Sequence, residues 1–131
     1  MSSTLVDDVW KRVQARVGDD LRVVTRYEAT DFETRMRDDV RDQYTTTEDH
    51  AIVTDTILKQ LGSIETESAF KAGELHALIR VFDDAYVLSW GDKRPRKSGF
   101  IISVDRTDRK RIRDLDWCIE MLNEDISPQI D

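Results

Sequence analysis

Residues 75–104 read LHALIRVFDDAYVLSWGDKRPRKSGFIISV and form the most apolar stretch of the chain. Asp83-Asp84 and the loop 91–97 divide it into three short runs rich in β-branched and aromatic residues, a composition typical of strands. We expect these strands at Leu75–Phe82, Ala85–Trp90 and Ser98–Val104. Their links are short, so neighbouring strands must be antiparallel. Apolar residues occupy both odd and even positions, so both faces need cover from helices or from another subunit.

The first part of the chain predicts one helix followed by a β-hairpin. Apolar side chains recur with the helical period from Leu5 to Val17, and Gly18 ends the pattern. The next run places Leu21, Val23, Thr25 and Tyr27 on one strand face, and the following strand places Phe32, Thr34 and Met36 on one face, opposite charged residues. We interpret the pair as a hairpin with one solvent-exposed face.

Two further long helices are predicted. The first has Thr46 or Thr47 as its N-cap and an apolar stripe made of Val53, Ile57, Leu58 and Leu61, and it ends at Gly62. The last helix runs from about Thr107 to Glu124, with an inner stripe of Ile112, Leu115, Cys118, Ile119 and Leu122. Short helical segments are expected at Asp38–Tyr44 and Glu65–Lys71.

The element order α-β-β-α-β-β-β-α predicts the fold class. It indicates an α+β domain in which the strands of the hairpin, and those of the three-strand run, are antiparallel. The length of 131 residues fits one domain. We expect that domain at residues 1–125 and a flexible C-terminal tail at 126–131.

The composition indicates a protein adapted to concentrated salt. The chain has a net charge of −7, with 19 Asp against 8 Glu and 14 Arg against 6 Lys. Asp-rich, Lys-poor surfaces stay hydrated where salt screens charge repulsion, so we infer a halophilic source; an ordinary acidic cytosolic protein is the alternative. Cys118 is the single cysteine, which favours a reducing, cytoplasmic location. We find no signal peptide and no apolar run long enough to span a membrane.

Three segments carry a resemblance to a known family. They are Arg37-Asp38-Asp39-Val40-Arg41, Ala72-Gly73-Glu74-Leu75 and Val81-Phe82-Asp83-Asp84-Ala85. Together they resemble a family of small haloarchaeal proteins of unknown function, a resemblance that covers nearly the whole chain. It implies a haloarchaeal cytoplasm and no assigned activity.

The element order is also similar to the roadblock/longin-type, profilin-like fold. That resemblance implies a five-stranded antiparallel sheet with helices covering both faces. Members of that fold typically dimerise and act as adaptors or regulators of small GTPases. The similarity is one of topology, so it implies a fold and transfers no functional residue to this chain.

Residues that could support catalysis or bind a metal or cofactor are scarce. The chain lacks the glycine-rich phosphate-binding motifs, and one cysteine with two distant histidines does not make a zinc site. His50 lies at a helix start and His76 on a strand surface, and neither has a nucleophile nearby in sequence. The paired aspartates fall at turns and element ends, where Asp satisfies backbone donors. The sequence therefore predicts a non-enzymatic protein without a cofactor.

A basic segment at residues 93–113 stands out against this acidic background. It carries a net charge of +7, which leaves −14 for the rest of the chain. A solvated segment paired with the protein's own aspartates, and a contact site for an anion or a partner, both fit this pattern. Trp117 falls off the inner stripe of its helix and joins the candidate contact residues: Lys93, Arg94, Arg96, Lys97, Arg106, Arg109, Lys110, Arg111, Arg113 and Trp117.

Three functional hypotheses follow. The favoured one is a non-enzymatic interaction or regulatory module that acts as a homodimer or binds a protein partner. The alternative is a nucleic-acid-binding accessory protein that uses the basic segment, although high salt weakens phosphate contacts steeply. The third is an enzyme with an unfamiliar site around His50 or His76.

Overall fold

The computed structural model describes residues 2–29, 31–92, 98–107 and 111–130. Five strands form one antiparallel sheet in the order β2-β1-β5-β4-β3, and five helices surround it. The predicted fold class is confirmed. The elements are α1 Ser2–Val17, β1 Leu21–Glu28, β2 Asp31–Met36, α2 Asp38–Arg41, α3 Thr46–Leu61, α4 Ser63–Phe70, β3 Ala77–Val81, β4 Ala85–Gly91, β5 Ser98–Asp105 and α5 Arg111–Met121.

The first face of the sheet is covered by α1 and α5 and holds the main core. The helical stripe of α1, from Val6 to Val17, is buried as its periodicity predicts. It packs against alternate residues of the strands and against α5. Fully buried members include Val9, Val13, Val24, Leu88, Phe100, Ile102, Val104, Leu115 and Leu122. Burial of such side chains stabilises a fold by about 1.5–3 kcal/mol each.

A β-bulge at the start of β1 changes the predicted facing of that strand. The pairing of β1 with β5 shifts between Leu21 and Val23, so Leu21 joins the first-face core while Val23 points to the second face. The prediction that Leu21 shares a face with Val23 was therefore wrong. Nor does β1 have a solvent-exposed face, because β2 and β5 flank it and it is buried on both sides.

The second face of the sheet is covered by α3 and has a smaller core. Tyr27, Val53 and Ile101 form its buried cluster, and Phe32 and Val87 pack against it. The predicted stripe of α3 was only partly right, because Leu58 and Leu61 are 64% and 48% exposed. Thr56 takes a buried position instead, and its hydroxyl donates to the Ile52 carbonyl within the helix.

The start of α3 lies one residue earlier than the sequence indicates. Thr45 is the N-cap: its Oγ1 accepts from the Glu48 amide at 3.1 Å, and the Glu48 carboxylate accepts from the Thr45 amide at 2.9 Å. This reciprocal pair is a complete capping box with the usual Glu at its third position. The predicted caps, Thr46 and Thr47, are helical residues.

The last helix differs from its prediction in its apolar stripe and at its C-terminal end. Residues 108–110 lie outside the described range, α5 is described from Arg111, and a π-helical turn, Leu122–Ile126, follows it. Ile112 is 44% exposed, so it does not belong to the inner stripe. Ile126 is fully buried and Ile130 packs against the first-face core. Packing therefore continues past residue 125, the predicted end of the domain.

We expect Thr45→Ala to lower the free energy of unfolding by about 1 kcal/mol, because it removes the acceptor for the Glu48 amide. Urea denaturation measures this difference. Thr46→Ala is the matched control and should change the free energy by less than about 0.5 kcal/mol. A larger loss in the control than in Thr45→Ala would contradict the assigned cap.

Candidate functional site

The basic segment 93–113 is only partly described by the structure. Six of its predicted contact residues, Lys93, Arg94, Arg96, Lys97, Arg109 and Lys110, lie outside the described residues. Arg106, Arg111, Arg113 and Trp117 lie inside them. The assignment of the segment as a contact site therefore stays a prediction. The surroundings of the four described residues show which of their side chains are already paired within the chain.

Arg111 is paired with acidic groups of the same chain. Its Nη2 donates to Asp20 at 2.8 Å and its Nη1 donates to Asp114 at 2.7 Å. The Thr107 hydroxyl also donates to Asp20, at 2.7 Å. The hydrogen bonds from Thr107 and Arg111 hold the pKa of Asp20 below its usual value. The charge of Arg111 is thus largely balanced within the fold.

The other described residues of this set have different surroundings. The Arg106 Nη1 donates to the Phe82 carbonyl at 3.4 Å, and its guanidinium lies over the Tyr86 ring. Trp117 is half-buried against the first-face core, and the Arg16 guanidinium lies 4.9 Å from its ring centroid. Arg113 is exposed and makes no ion pair with the described residues. Among these four, Arg106 and Arg113 are the exposed cations without an ion pair to the described residues, so both are available to an outside partner.

A buried ion pair that sequence reasoning missed lies where the basic segment leaves the sheet. Arg26 is 2% exposed, and its Nη1 donates to Asp92 at 3.1 Å. Asp92 also accepts from the Ser98 hydroxyl at 2.7 Å, and the Arg26 Nη1 donates to the Gly99 carbonyl. Asp92 and Ser98 flank residues 93–97. The pair therefore holds Asp92 and Ser98 against β1.

The residues considered for catalysis are scattered over the fold. His50 is exposed on α3 and makes an edge contact with the Phe32 ring; His76 is exposed just before β3. Burial raises the pKa of the Cys118 thiol to about 12, which leaves it unreactive. Among the described residues, no group of His, Cys, Asp or Glu side chains is arranged to hold a metal ion.

Large apolar side chains of the described residues are exposed mainly in two places: on α3 and α4, at Ile52, Leu58, Leu61 and Phe70, and along β3. Leu78, Val81 and Phe82 are 37%, 54% and 52% exposed, and we call these three residues the edge surface. They lie on, or immediately after, a strand that has a partner on only one side. The opposite edge, β2, carries Asp31, Glu33 and Arg35. Charged residues protect an edge strand from pairing with another chain, and β3 has one such residue, Arg80, so β2 is the better protected edge.

The comparison with protein families identifies the chain's relatives. The model of the family DUF7522, described as a domain of unknown function, matches residues 7–124. The chain belongs to the DUF7522 family. No curated protein matches it in sequence.

A solved structure shows the same fold in a distant protein. The crystal structure of the Roadblock/LC7 domain from Streptomyces avermitilis superposes with a TM-score of 0.55, at 8% sequence identity. The match covers 89% of this DUF7522 chain and 93% of the other chain. This confirms the predicted roadblock-like fold. At so low an identity the likeness establishes the fold alone.

No helix in the described part of this DUF7522 chain combines the length and the apolar character that a membrane crossing requires.

The buried pair Arg26–Asp92 can be tested by removing its acidic member. Asp92→Asn leaves the Arg26 charge without its buried counter-ion, so we expect a loss of about 3 kcal/mol or more in the free energy of unfolding. Glu28→Gln is the control, because Glu28 pairs with the same guanidinium but is 62% exposed; it should cost less than about 1 kcal/mol. Urea denaturation at fixed salt measures the free energy of unfolding of both variants. Equal losses in Asp92→Asn and Glu28→Gln would contradict the assigned role of Asp92.

Proposed function

We propose that this protein is a non-enzymatic interaction module that acts as a homodimer. The observation that carries the proposal is the edge surface: the edge strand β3 has fewer charged residues than β2, and Leu78, Val81 and Phe82 are exposed on or just after it. Exposed apolar groups beside unpaired backbone donors and acceptors mark a site where another strand can add.

A second copy of this chain fits that edge. When two copies meet about a two-fold axis, the same strand of each lies against the other and the two strands run antiparallel. Pairing of β3 with its counterpart would continue the sheet across the interface and bring the exposed apolar residues of both copies together. The roadblock-like fold supports this proposal, since that fold is typical of modules that bind other proteins.

We further propose that the protein works in the cytoplasm of a halophilic archaeon. The charge of −7, with aspartate as the main acidic residue, supports this. The ion pairs also use arginine in nearly every case; Lys59–Asp55 is the exception among those of the described residues. Arginine keeps its pairs through planar, multiple hydrogen bonds while a lysine pairs as a point charge.

The salt adaptation predicts that concentrated KCl stabilises the protein. Molar KCl screens the mutual repulsion of the acidic surface, so the free energy of unfolding should rise from dilute buffer to molar KCl. Urea denaturation over a KCl series measures it. A free energy of unfolding that stays constant or falls as KCl rises would favour the alternative, an ordinary acidic cytosolic protein that is not adapted to salt.

The dimer is tested by light scattering coupled to size-exclusion chromatography in molar KCl. We expect the wild-type protein to have twice the mass of one chain, and Val81→Lys to have the mass of one chain because it places a charge on the β3 edge. Glu33→Lys, at the opposite edge of the sheet, should remain dimeric. Circular dichroism verifies that each variant is folded.

Two results would contradict the dimer. One is a wild-type protein that is monomeric throughout the concentration range; the other is a Val81→Lys protein that remains dimeric. The nucleic-acid alternative makes a separate prediction, because retention on DNA or RNA in molar KCl that is lost in Arg113→Ser would favour it. The internal pairing of Arg111 argues against that alternative.

A further inference from the structure

A cavity of about 340 Å³ lies between the second face of the sheet and α3. Val23, Val87 and Ile101 form its floor, and Phe32 and Ile52 are among the side chains around it. Small-molecule sites in proteins have volumes of roughly 300–1,000 Å³ and mainly apolar linings with a few polar groups. The size and lining of this cavity are those of a ligand site.

The cavity exists because one helix cannot cover five strands. Neighbouring strands are about 4.8 Å apart, so the sheet is about twice as wide as a helix with its side chains. Polar contacts hold α3 in place along its length. Asp49 pairs with Arg41 at 2.8 Å, Asp55 with Arg80 at 3.4 Å, and Gln60 accepts from the Tyr27 hydroxyl at 2.8 Å. These contacts limit how far α3 can collapse onto the floor, so the cavity is preformed.

Hydrogen-bond donors without partners lie at one end of the cavity. Ser103 lines it and is 6% exposed, and its hydroxyl makes no hydrogen bond with the described residues. The bulge in β1 turns Arg22 to the same side, and its buried Nε also lacks a partner. Ser103 pairs in register with Val23, the residue after Arg22, so the two donors are neighbours. A buried donor without an acceptor, here the Arg22 Nε, destabilises a protein unless a ligand or water supplies one.

The helix side of the cavity offers an acceptor. Asp49 lines it with a side chain that is 8% exposed; Oδ2 accepts from Arg41, and the buried Oδ1 has no donor among the described residues. Asp83 and Asp84 also line the cavity, against the two cations Arg22 and Arg80. The lining thus has one more negative than positive charge, which disfavours an anionic ligand.

We propose that this cavity binds a neutral, ring-sized molecule that carries an amide, such as an aromatic carboxamide or a lactam. The amide carbonyl accepts from Ser103 and Arg22, its N–H donates to Asp49, and the ring packs on the apolar floor. A small molecule fits better than a partner's side chain, because Val23 and Ile101 on the floor are at least nine-tenths buried. Phe82 of the edge surface also lines this cavity, but the variants that test the ligand site lie outside that surface, so the ligand proposal is tested separately from the dimer.

Benzamide is the probe that tests this site. Its titration is followed by the methyl NMR signals of Val23, Val87 and Ile101, with Val9 and Leu88 of the first face as internal references. We expect saturable shifts at the cavity methyls, with a dissociation constant of roughly 1 mM for so small a molecule. Benzoate has the same shape but an anionic end, so it should bind at least about tenfold more weakly.

Variants locate the binding. Val87→Phe fills the floor and should abolish the saturable shifts, while Ser103→Ala removes a donor and should weaken benzamide binding about fivefold. Ser89→Ala is the matched control, a serine on the same sheet face that lies outside the cavity. It should bind benzamide as the wild type does. If Val87→Phe does not fold, the comparison of benzamide affinity between the Ser103→Ala and Ser89→Ala variants tests the site.

Each remaining result would overturn the proposal. Without saturable shifts the cavity is not a ligand site. Benzoate binding as tight as benzamide binding would show an anion site instead. Equal affinity in Ser103→Ala and wild type would show that the amide does not bind at the donor end.

Discussion

The structure depends on one constraint: the central strands are apolar on both faces, so a single layer of helices cannot bury them. The two faces meet this constraint unequally. Two helices, α1 and α5, cover the first face and bury large side chains such as Trp90 and Phe100 completely or nearly so. One helix, α3, covers the second face. The smaller core, the cavity and the exposed β3 edge all lie where the cover is incomplete.

The sequence was sufficient for the order and type of the elements because periodicity is a local property. The apolar stripe of α1 is continuous from Val6 to Val17, and the helix buries this stripe by packing it against the sheet. The three strands between residues 75 and 104 were recognisable from composition and turns alone. Both predictions rest on patterns that no tertiary contact overrides.

What the sequence could not show depends on partners distant in the chain. Leu21 was assigned to the wrong face because a bulge is one unpaired residue and leaves no compositional signal. Leu58 looked like core because its spacing is helical, yet a single helix on a wide sheet buries only a narrow stripe. The burial of Arg26 required knowledge that Asp92, far along the chain, lies beside it. A charged residue within an otherwise apolar strand was the available hint. The sequence also could not show that Arg111 pairs with Asp20 and Asp114. The net charge counted along the basic segment therefore overstates the unpaired charge of Arg111.

The sheet order has a consequence for how the chain reaches its folded state. The β1–β2 hairpin and the β3-β4-β5 meander are each built from strands adjacent in sequence, so each can form early and by itself. Among the described strands, only the β1–β5 ladder joins them, and it pairs residues as distant as Thr25 and Ile101. Forming that ladder closes the long chain segment between β1 and β5, so this step has the largest loop-closure entropy cost of the sheet. The two halves also share the first-face core, because α1 packs against β1 and α5, so cooperativity between them arises from this ladder and that core together. The bulge that turns Arg22 toward the cavity lies within the ladder.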